Sequence, residues 1–304
     1  MKLTANRIVS EVLRWFRRHR RDLPWRKTRD PYRILVSEVM LQQTQVSRVE
    51  VKYPEFLKRF PTFEALAKAS KGEVIRAWSG MGYNSRALRL REVARIVVER
   101  FNGKLPTSVG ILQQLPGIGQ CTAHAVTCFA HRKAVPVVDT NVRRVLTRIF
   151  WRTTGSIYRQ DTGKISKLAG DLLLINRAVD WNLALMDLGA TICKARAPRC
   201  RQCPVRGFCR SAFRIKTDRR PSAQREPVYQ GRPRRYYRGR IIETLRNVNH
   251  DGWIFTRSLG PRVKPDFELR ELPWLHGVLR QLERDGLIII HDERKPVGMH
   301  VSLA

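Results

Sequence analysis

Residues Leu115–His124 read LPGIGQCTAH, and the fold turns on how that stretch is understood. A Pro-Gly-x-Gly sequence separates two helical patterns. The apolar stripe Thr122, Ala125, Val126, Phe129 and Ala130 then opens a new helix. Two helices joined by Gly-x-Gly bring backbone N–H groups and a helix N-terminus close to a phosphate, with no side chain in the way. Such a contact ignores base sequence, so it anchors DNA without choosing it. The same letters also make an ordinary helix–helix corner, and the turn alone leaves both readings open.

Outward from this turn, residues 1 to about 150 read as a run of helices. From Tyr32 the apolar positions Leu35, Val36, Val39, Met40, Val46 and Val49 recur at helical spacing. FPTFEALAKAS and LPTSVGILQQ each carry Pro-Thr, predicting Thr62 and Thr107 as helix N-caps. Val142, Val145, Leu146 and Ile149 form one face of a helix that begins just after Asp139. No alternating strand pattern appears before residue 250.

Composition shifts later in the chain. Between Arg210 and Arg240 stand eleven Lys/Arg against two acids, with Pro and Gly interspersed, which predicts a basic linker over 213–237. Beyond it RGRIIETLRN and HGVLRQLERDG read as two helices, the second ended by Gly286. LIII and MHVSLA can pair as a hairpin around HDERKPVG. Helix followed by charged hairpin resembles the recognition helix and wing of a winged-helix module, predicting a small α+β domain over 238–304.

The 304 residues allow two or three domains with proper cores. A net charge of +33, from 59 Lys+Arg against 26 Asp+Glu, exceeds what solubility needs. It suits a polyanionic partner, nucleic acid first and an anionic membrane surface second. No run approaches the roughly 18 apolar residues of a spanning helix, and MKLTANRIVSEVLRWF lacks the apolar core and cleavage site of a signal peptide. A cytoplasmic, nucleoid-associated protein is expected.

Cys193, Cys200, Cys203 and Cys209 follow the spacing Cys-x6-Cys-x2-Cys-x5-Cys. In a reducing compartment this reads as a metal site rather than a disulfide framework; four thiolates suit iron–sulfur or zinc alike. Cys121 and Cys128 sit in a helical pattern as small buried residues. Two carboxylates draw notice. Glu38, in RILVSEVMLQQTQ, has apolar neighbours whose burial would raise its pKa. Asp139 stands at an N-cap position, its carboxylate facing the space before a helix. A helix-surface glutamate and a plain cap are the bland alternatives. One protonated and one anionic carboxylate together meet the needs of glycosidic cleavage, between a base and a sugar as between two sugars: one donates a proton to the leaving group, the other stays beside the developing cation.

These pieces occur in a recognisable order. The stretches DLPWRKTRDPYRILVSEVMLQQTQV, GMGYNSRA, LPGIGQCTAHAV, VVDTNVRRVL, NLALMDLGATIC and the cysteine cluster resemble the helix–hairpin–helix Gly-Pro-Asp superfamily of base-excision DNA glycosylases, most of all its MutY-type adenine glycosylases. The resemblance runs from about residue 6 to 212. It implies a mainly α, two-lobed helical glycosylase domain over 1–212 with an iron–sulfur loop. It implies Glu38 as general acid on the departing base and Asp139 as stabiliser or covalent captor of the sugar cation. Trp25, Arg26 and Leu41 match positions lining the base pocket. Gln43 and Tyr83 match residues that wedge into the duplex beside the opposite base when the target flips out. Gly117 and Gly119 belong to the phosphate-gripping hairpin, and Asn141 joins the DNA-binding set. The cysteine spacing, with the resemblance, points to a [4Fe–4S] cluster; Arg196, Arg199, Arg201 and Arg206 stud its loops. The implied partner is double-stranded DNA containing a mismatched or damaged base, bound by a monomer away from membranes.

Three departures limit the carry-over. Cys121 occupies the position of the Schiff-base lysine of bifunctional relatives, so strand cleavage is not expected. Leu183 replaces a Gln or Glu that contacts adenine. The C-terminal part does not resemble the nucleotide-hydrolase-like domain that senses 8-oxoguanine. The sequence therefore predicts a monofunctional glycosylase acting on adenine opposite guanine or 8-oxoguanine. A thymine/uracil mismatch glycosylase and a catalytically inactive DNA-binding factor remain as alternatives.

Overall fold

A computed structural model describes residues 2–153, 161–215, 226–248, 252–291 and 299–304. In chain order its first helices are α1 (Lys2–His19), α2 (Pro31–Leu41), α3 (Val46–Arg59), α4 (Phe63–Lys68), α5 (Lys71–Ala77), α6 (Ser85–Phe101) and α7 (Val109–Gln114). Next come α8 (Gln120–Phe129), α9 (Thr140–Phe150), α10 (Thr162–Asp171) and α11 (Ala178–Thr191). The C-terminal part runs β1 (Val228–Tyr229), β2 (Arg232–Pro233), α12 (Arg234–Arg246), β3 (Ile254–Phe255), α13 (Thr256–Val263), α14 (Leu272–Arg284), β4 (Ile288–His291) and β5 (His300–Leu303). The protein is mainly helical, with two small antiparallel sheets among the described residues.

The chain divides into two compact units, one within Met1–Glu38, Thr107–Gln114 and Ile118–Ala223, the other within Val39–Pro106, Leu115–Gly117 and Gln224–Ala304. In the first, Ile8, Val12 and Phe16 of α1 bury against Val142, Val145 and Leu146 of α9 and Trp181, Leu185 and Leu188 of α11. This packing holds the N-terminus of α9, and Asp139 with it, on a rigid support. The stripe Val142, Val145, Leu146 and Ile149 is buried as its period requires.

In the second unit, β3, β5 and β4 form an antiparallel sheet with β5 in the middle. Its residues Val301 and Leu303 share one apolar cluster with Ile241 and Ile242 of α12, Leu275 and Leu279 of α14 and Ile75 of α5. The hairpin of LIII with MHVSLA forms in register, Ile290 facing Val301, and Gly286 ends α14 with φ +69°. Residues 292–298, within the stretch read as the hairpin's connection, and 216–225 of the basic stretch lie outside the described residues.

Several local expectations change. The apolar run from Tyr32 to Val49 is two helices, because the chain turns over Gln42–Gln45 between α2 and α3. Thr62 caps α4 by accepting from the Ala65 N–H (3.2 Å), but α7 starts at Val109, so Thr107 is not its cap. The β1–β2 ladder precedes residue 250, and α12 starts at Arg234, within the stretch read as linker. Strand β3 and helix α13 come in addition to the elements the sequence pattern predicts, and α13 carries Pro261 in its interior.

Candidate active site

Asp139 is the N-cap of α9. Its Oδ1 accepts from the Val142 N–H (2.7 Å), and Oδ2 accepts from Asn141 Nδ2 (3.1 Å). Half the carboxylate is thus spent on the cap, which fixes its direction. Burial raises its pKa, while the Val142 and Asn141 hydrogen bonds and the Arg144 charge hold it down. Glu38, near the end of α2, is affected more. Burial pushes it up to about 8; the negative charge of Asp139 adds to the rise and Arg26 opposes it. The expected contrast is therefore one of degree: both carboxyls are raised, and Asp139 alone has donors to steady its anion.

Cys121, in the first turn of α8, lies in the same electrostatic neighbourhood. Burial, then Glu38 and Asp139, push its thiol up to about 12. At neutral pH it is a neutral thiol, and a covalent amine mechanism has no amine at that position. Trp25 is buried at 8 % exposure. Arg26 is clamped by Asp187 of α11, its Nη1 and Nη2 donating to the two carboxylate oxygens at 2.8 Å each. Arg21 donates to the same carboxylate from its Nε and its backbone N–H. Asp187 is fully buried; burial alone would raise its pKa, but the two arginines bring it below the usual aspartate value. Leu183 packs half-buried against the core of the first unit.

Asn141 also links Asp139 to the cysteine loop. Its Oδ1 accepts from Arg144 Nη2 (2.7 Å), while Arg144 Nε donates to the Cys193 carbonyl (2.7 Å). One turn on, Arg148 donates to Cys193 Sγ (3.5 Å) and to the carbonyls of Lys194 (2.7 Å) and Ala195 (3.0 Å). Cys193, Cys200, Cys203 and Cys209 are free and half-buried, and all four line one largely apolar cavity with Arg148 at its wall. Arg196, Arg199, Arg201 and Arg206 are exposed around it. Among the described residues no three His, Cys, Asp or Glu side chains converge as ligands of a single metal ion.

The turn at Pro116–Gly119 treats its glycines differently. Gly117 has φ +76°, and a Cβ there would sit 2.9 Å from Arg89 Cδ, so the fold itself requires glycine. Gly119 has φ −84° and caps α8 without a side chain, and a Cβ there would meet nothing within 4 Å. The fold itself therefore does not require glycine at that position.

In the second unit Gln43 and Tyr83 are exposed, and both have left-handed backbones, φ 58° and 45°. For side chains with a Cβ that conformation costs energy and persists only where the surroundings enforce it. Buried Arg86 does so. Its Nη1 donates to the carbonyls of Val39 (2.9 Å), Met40 (3.0 Å) and Gln42, and its Nη2 to those of Met81 and Gly82 (3.1 Å each) and to Thr44 Oγ1 (2.9 Å). One guanidinium thus ties the end of α2 to the Gly80–Tyr83 turn, and it lies 5.6 Å from the Tyr83 ring centre. Leu41, the last residue of α2, is half-buried.

The sequence profile described as "HhH-GPD superfamily base excision DNA repair protein" matches residues 36–169. An adenine DNA glycosylase of Mycobacterium tuberculosis is 42% identical over 255 residues, covering 80% of this chain and 81% of its own. The chain belongs to this superfamily, within its adenine DNA glycosylase branch. A thymine/uracil-DNA glycosylase of Methanothermobacter thermautotrophicus is 36% identical over 202 residues, 66% of this chain and 91% of its own. Among solved structures, a thermostable thymine-DNA glycosylase superposes with TM-score 0.63 at 34% identity, over 68% of this chain and 96% of that one.

For a glycosylase of this superfamily, sequence reasoning named the carboxylates and the two exposed tips but missed what holds them. Arg86, Arg144, Arg148 and Asp187 are charged residues buried below 9 %, and a hydropathy pattern assigns such residues to the surface. A faint signal existed for Asp187: it lies in NLALMDLGATIC, where apolar residues flank it on both sides.

Proposed function

We propose that the chain is a monofunctional DNA glycosylase hydrolysing the bond between deoxyribose and an adenine mispaired with guanine or 8-oxoguanine. The observation that carries this is Glu38: its carboxyl is held protonated up to about 8 in the same buried group as Asp139. A neutral carboxylic acid at physiological pH is a proton donor. Glu38 protonates the adenine ring as the C1′–N9 bond breaks, and the base leaves neutral. Asp139 faces the cationic sugar left behind and stabilises it until water adds at C1′ or, alternatively, captures it covalently. Trp25, Arg26 and Leu41 line the pocket for the flipped-out base. Gln43 and Tyr83 enter the duplex in its place. Gly117 and Gly119 grip a backbone phosphate, with Asn141 in support. The 42% identity to an adenine DNA glycosylase favours adenine. Leu183, which offers no hydrogen bond, and the 36% identity to a thymine/uracil enzyme keep that second specificity as the reading to test against.

The four cysteines fit a [4Fe–4S] cluster. They line one cavity, and four cysteine thiolates are the ligand set such a cluster takes. When bound, the cluster cross-links the loop that displays Arg196, Arg199, Arg201 and Arg206 toward DNA. We assign residues 1–212 to the glycosylase domain and 238–304 to a winged-helix-like module, its order helix–strand–helix–helix–strand–strand. The enzyme acts as a monomer on double-stranded DNA. No described helix is long and apolar enough to cross a membrane; a nucleoid-associated location is part of the proposal.

Base release from single-mismatch duplexes, scored with and without alkali, tests the reading. Release of adenine opposite guanine and 8-oxoguanine, with strand breaks only after alkali, supports it. Release of thymine or uracil opposite guanine, with adenine untouched, replaces it with the second reading.

A further inference from the structure

The C-terminal module is anchored to the helices of its own unit. Ile75 of α5 is fully buried in the module's apolar cluster. Arg246 of α12 donates from Nε to the Ile75 carbonyl (3.1 Å) and from Nη2 to Asn84 Oδ1 (2.8 Å). Beside this junction the unit encloses an open cleft of about 740 Å³. Gln43, Arg48 and Tyr83 line one part of it, and Arg232, Arg235 and Arg238 another. No Asp or Glu is among its described lining residues.

The chemistry of that lining is narrow. Four guanidiniums supply planar, paired donors that match the oxygens of a phosphodiester. Tyr236, also in the lining, has Arg232 5.3 Å and Arg240 5.9 Å from its ring centre, which steadies the Arg232 side chain. Arg235 pairs with Glu226 (2.7 Å) and Arg238 with Asp285. Each pair has a well-exposed member, and pairs of that kind are worth little, so both arginines can exchange carboxylate for phosphate at small cost. A small anion would not fill a cleft of about 740 Å³, whereas a strand of nucleic acid would.

We propose that this cleft seats the phosphodiester backbone of the strand opposite the excised nucleotide. The C-terminal module thereby completes the DNA surface that begins at the Gln43 and Tyr83 tips. The choice of strand rests on the reading of those two residues as the wedge beside the opposite base; the choice of ligand rests on the cleft alone.

The test uses the full chain and mismatch duplexes carrying single uncharged methylphosphonates, placed in turn along each strand, with affinity read by fluorescence anisotropy. In the wild type, neutralising one or two phosphates near the mismatch on the opposite strand weakens binding about fivefold to tenfold. The double variant Arg232→Ala/Arg238→Ala binds native duplex more weakly, and the same methylphosphonates no longer matter. Its slope of log K against log salt falls by about 1.8, the value for two lost phosphate contacts. The variant Arg232→Lys/Arg238→Lys keeps most of the slope, which separates lost charge from misfolding. A wild-type salt slope in the alanine variant, or methylphosphonate effects on the excised strand alone, would overturn the proposal. Should the wild type release no base from any mismatch, the glycosylase reading fails, while the salt slope on plain duplex still judges the cleft.

Discussion

The two carboxyls proposed as catalytic and the two exposed tips solve opposite problems. Around Glu38 and Asp139 the protein withdraws water from acids, raising both pKa values, and steadies one of them with the first turn of α9. Around Gln43 and Tyr83 it leaves side chains in water and strains the backbone instead, with Arg86 gathering five carbonyls to hold the strain. The first region buries charge that titrates near neutral pH. The second buries charge that does not, since Arg86, although lowered by burial to about 10, stays cationic there. Damage to the first region should appear in rate and pH dependence, and damage to the second in stability and binding.

The sharpest way to break that division is Asp139→Asn. It keeps a cap acceptor for the Val142 N–H but removes the anion, so base release should fall on the order of 10³-fold or more while duplex affinity holds. Single-turnover release and anisotropy on one preparation decide it; retained turnover would end the assignment of Asp139.

Arg86→Ala should do the reverse in kind. Orphaning several buried carbonyls is expected to cost about 3–5 kcal/mol of stability, read from the urea midpoint. Arg86→Lys should recover only part, since one ammonium cannot span both turns. An unchanged midpoint would show that the tips hold their conformation without it.

A smaller effect sharpens the first region. The reaction needs Glu38 protonated, and its pKa is raised, so the rate should be sustained up to about 8 and fall as pH climbs through that value. Arg26 opposes the rise. In Asp187→Asn Arg26 loses the carboxylate that neutralises it, its positive charge acts more fully on Glu38, and the alkaline limb should move to lower pH. The variant should also lose about 3–5 kcal/mol of stability, because two arginines lose their buried carboxylate. A limb that stays in place would show that Arg26 does not act on Glu38.

The smallest expected change is Leu183→Gln. One added hydrogen bond of about 1 kcal/mol should raise the preference for adenine over other purines by about fivefold, measured as a ratio of single-turnover rates.

How much of this was legible in the sequence follows physical lines. The Gly-x-Gly turn, the α9 stripe and the Asp139 cap are local: a glycine backbone, a period of 3.6 and an acceptor one residue before a helix write themselves into neighbouring letters. Strand β3 spans only Ile254–Phe255, too short for alternation. Helix α13 contains Gly260 and Pro261, which read as a break; the close approach of the Phe267 ring to Gly260 supplies a tertiary reason for the glycine that the local pattern does not show. Arg86 and Asp187 act through partners up to 166 residues away, and no window along the chain contains that information.

The order in which the C-terminal sheet is made has a consequence of its own. Its middle strand, β5, is the last of the three to leave the ribosome, and it alone pairs with both β3 and β4. Until residues 300–303 emerge, two strands lie without partners and the apolar cluster lacks Val301 and Leu303. Ile75, synthesised more than two hundred residues earlier, waits through that interval without its cover. Half-finished chains therefore expose apolar surface on a segment already folded, a state prone to aggregation. A premature stop before His300 would make that state permanent, spoiling the second unit from its far end while every residue of the carboxylate site was still present.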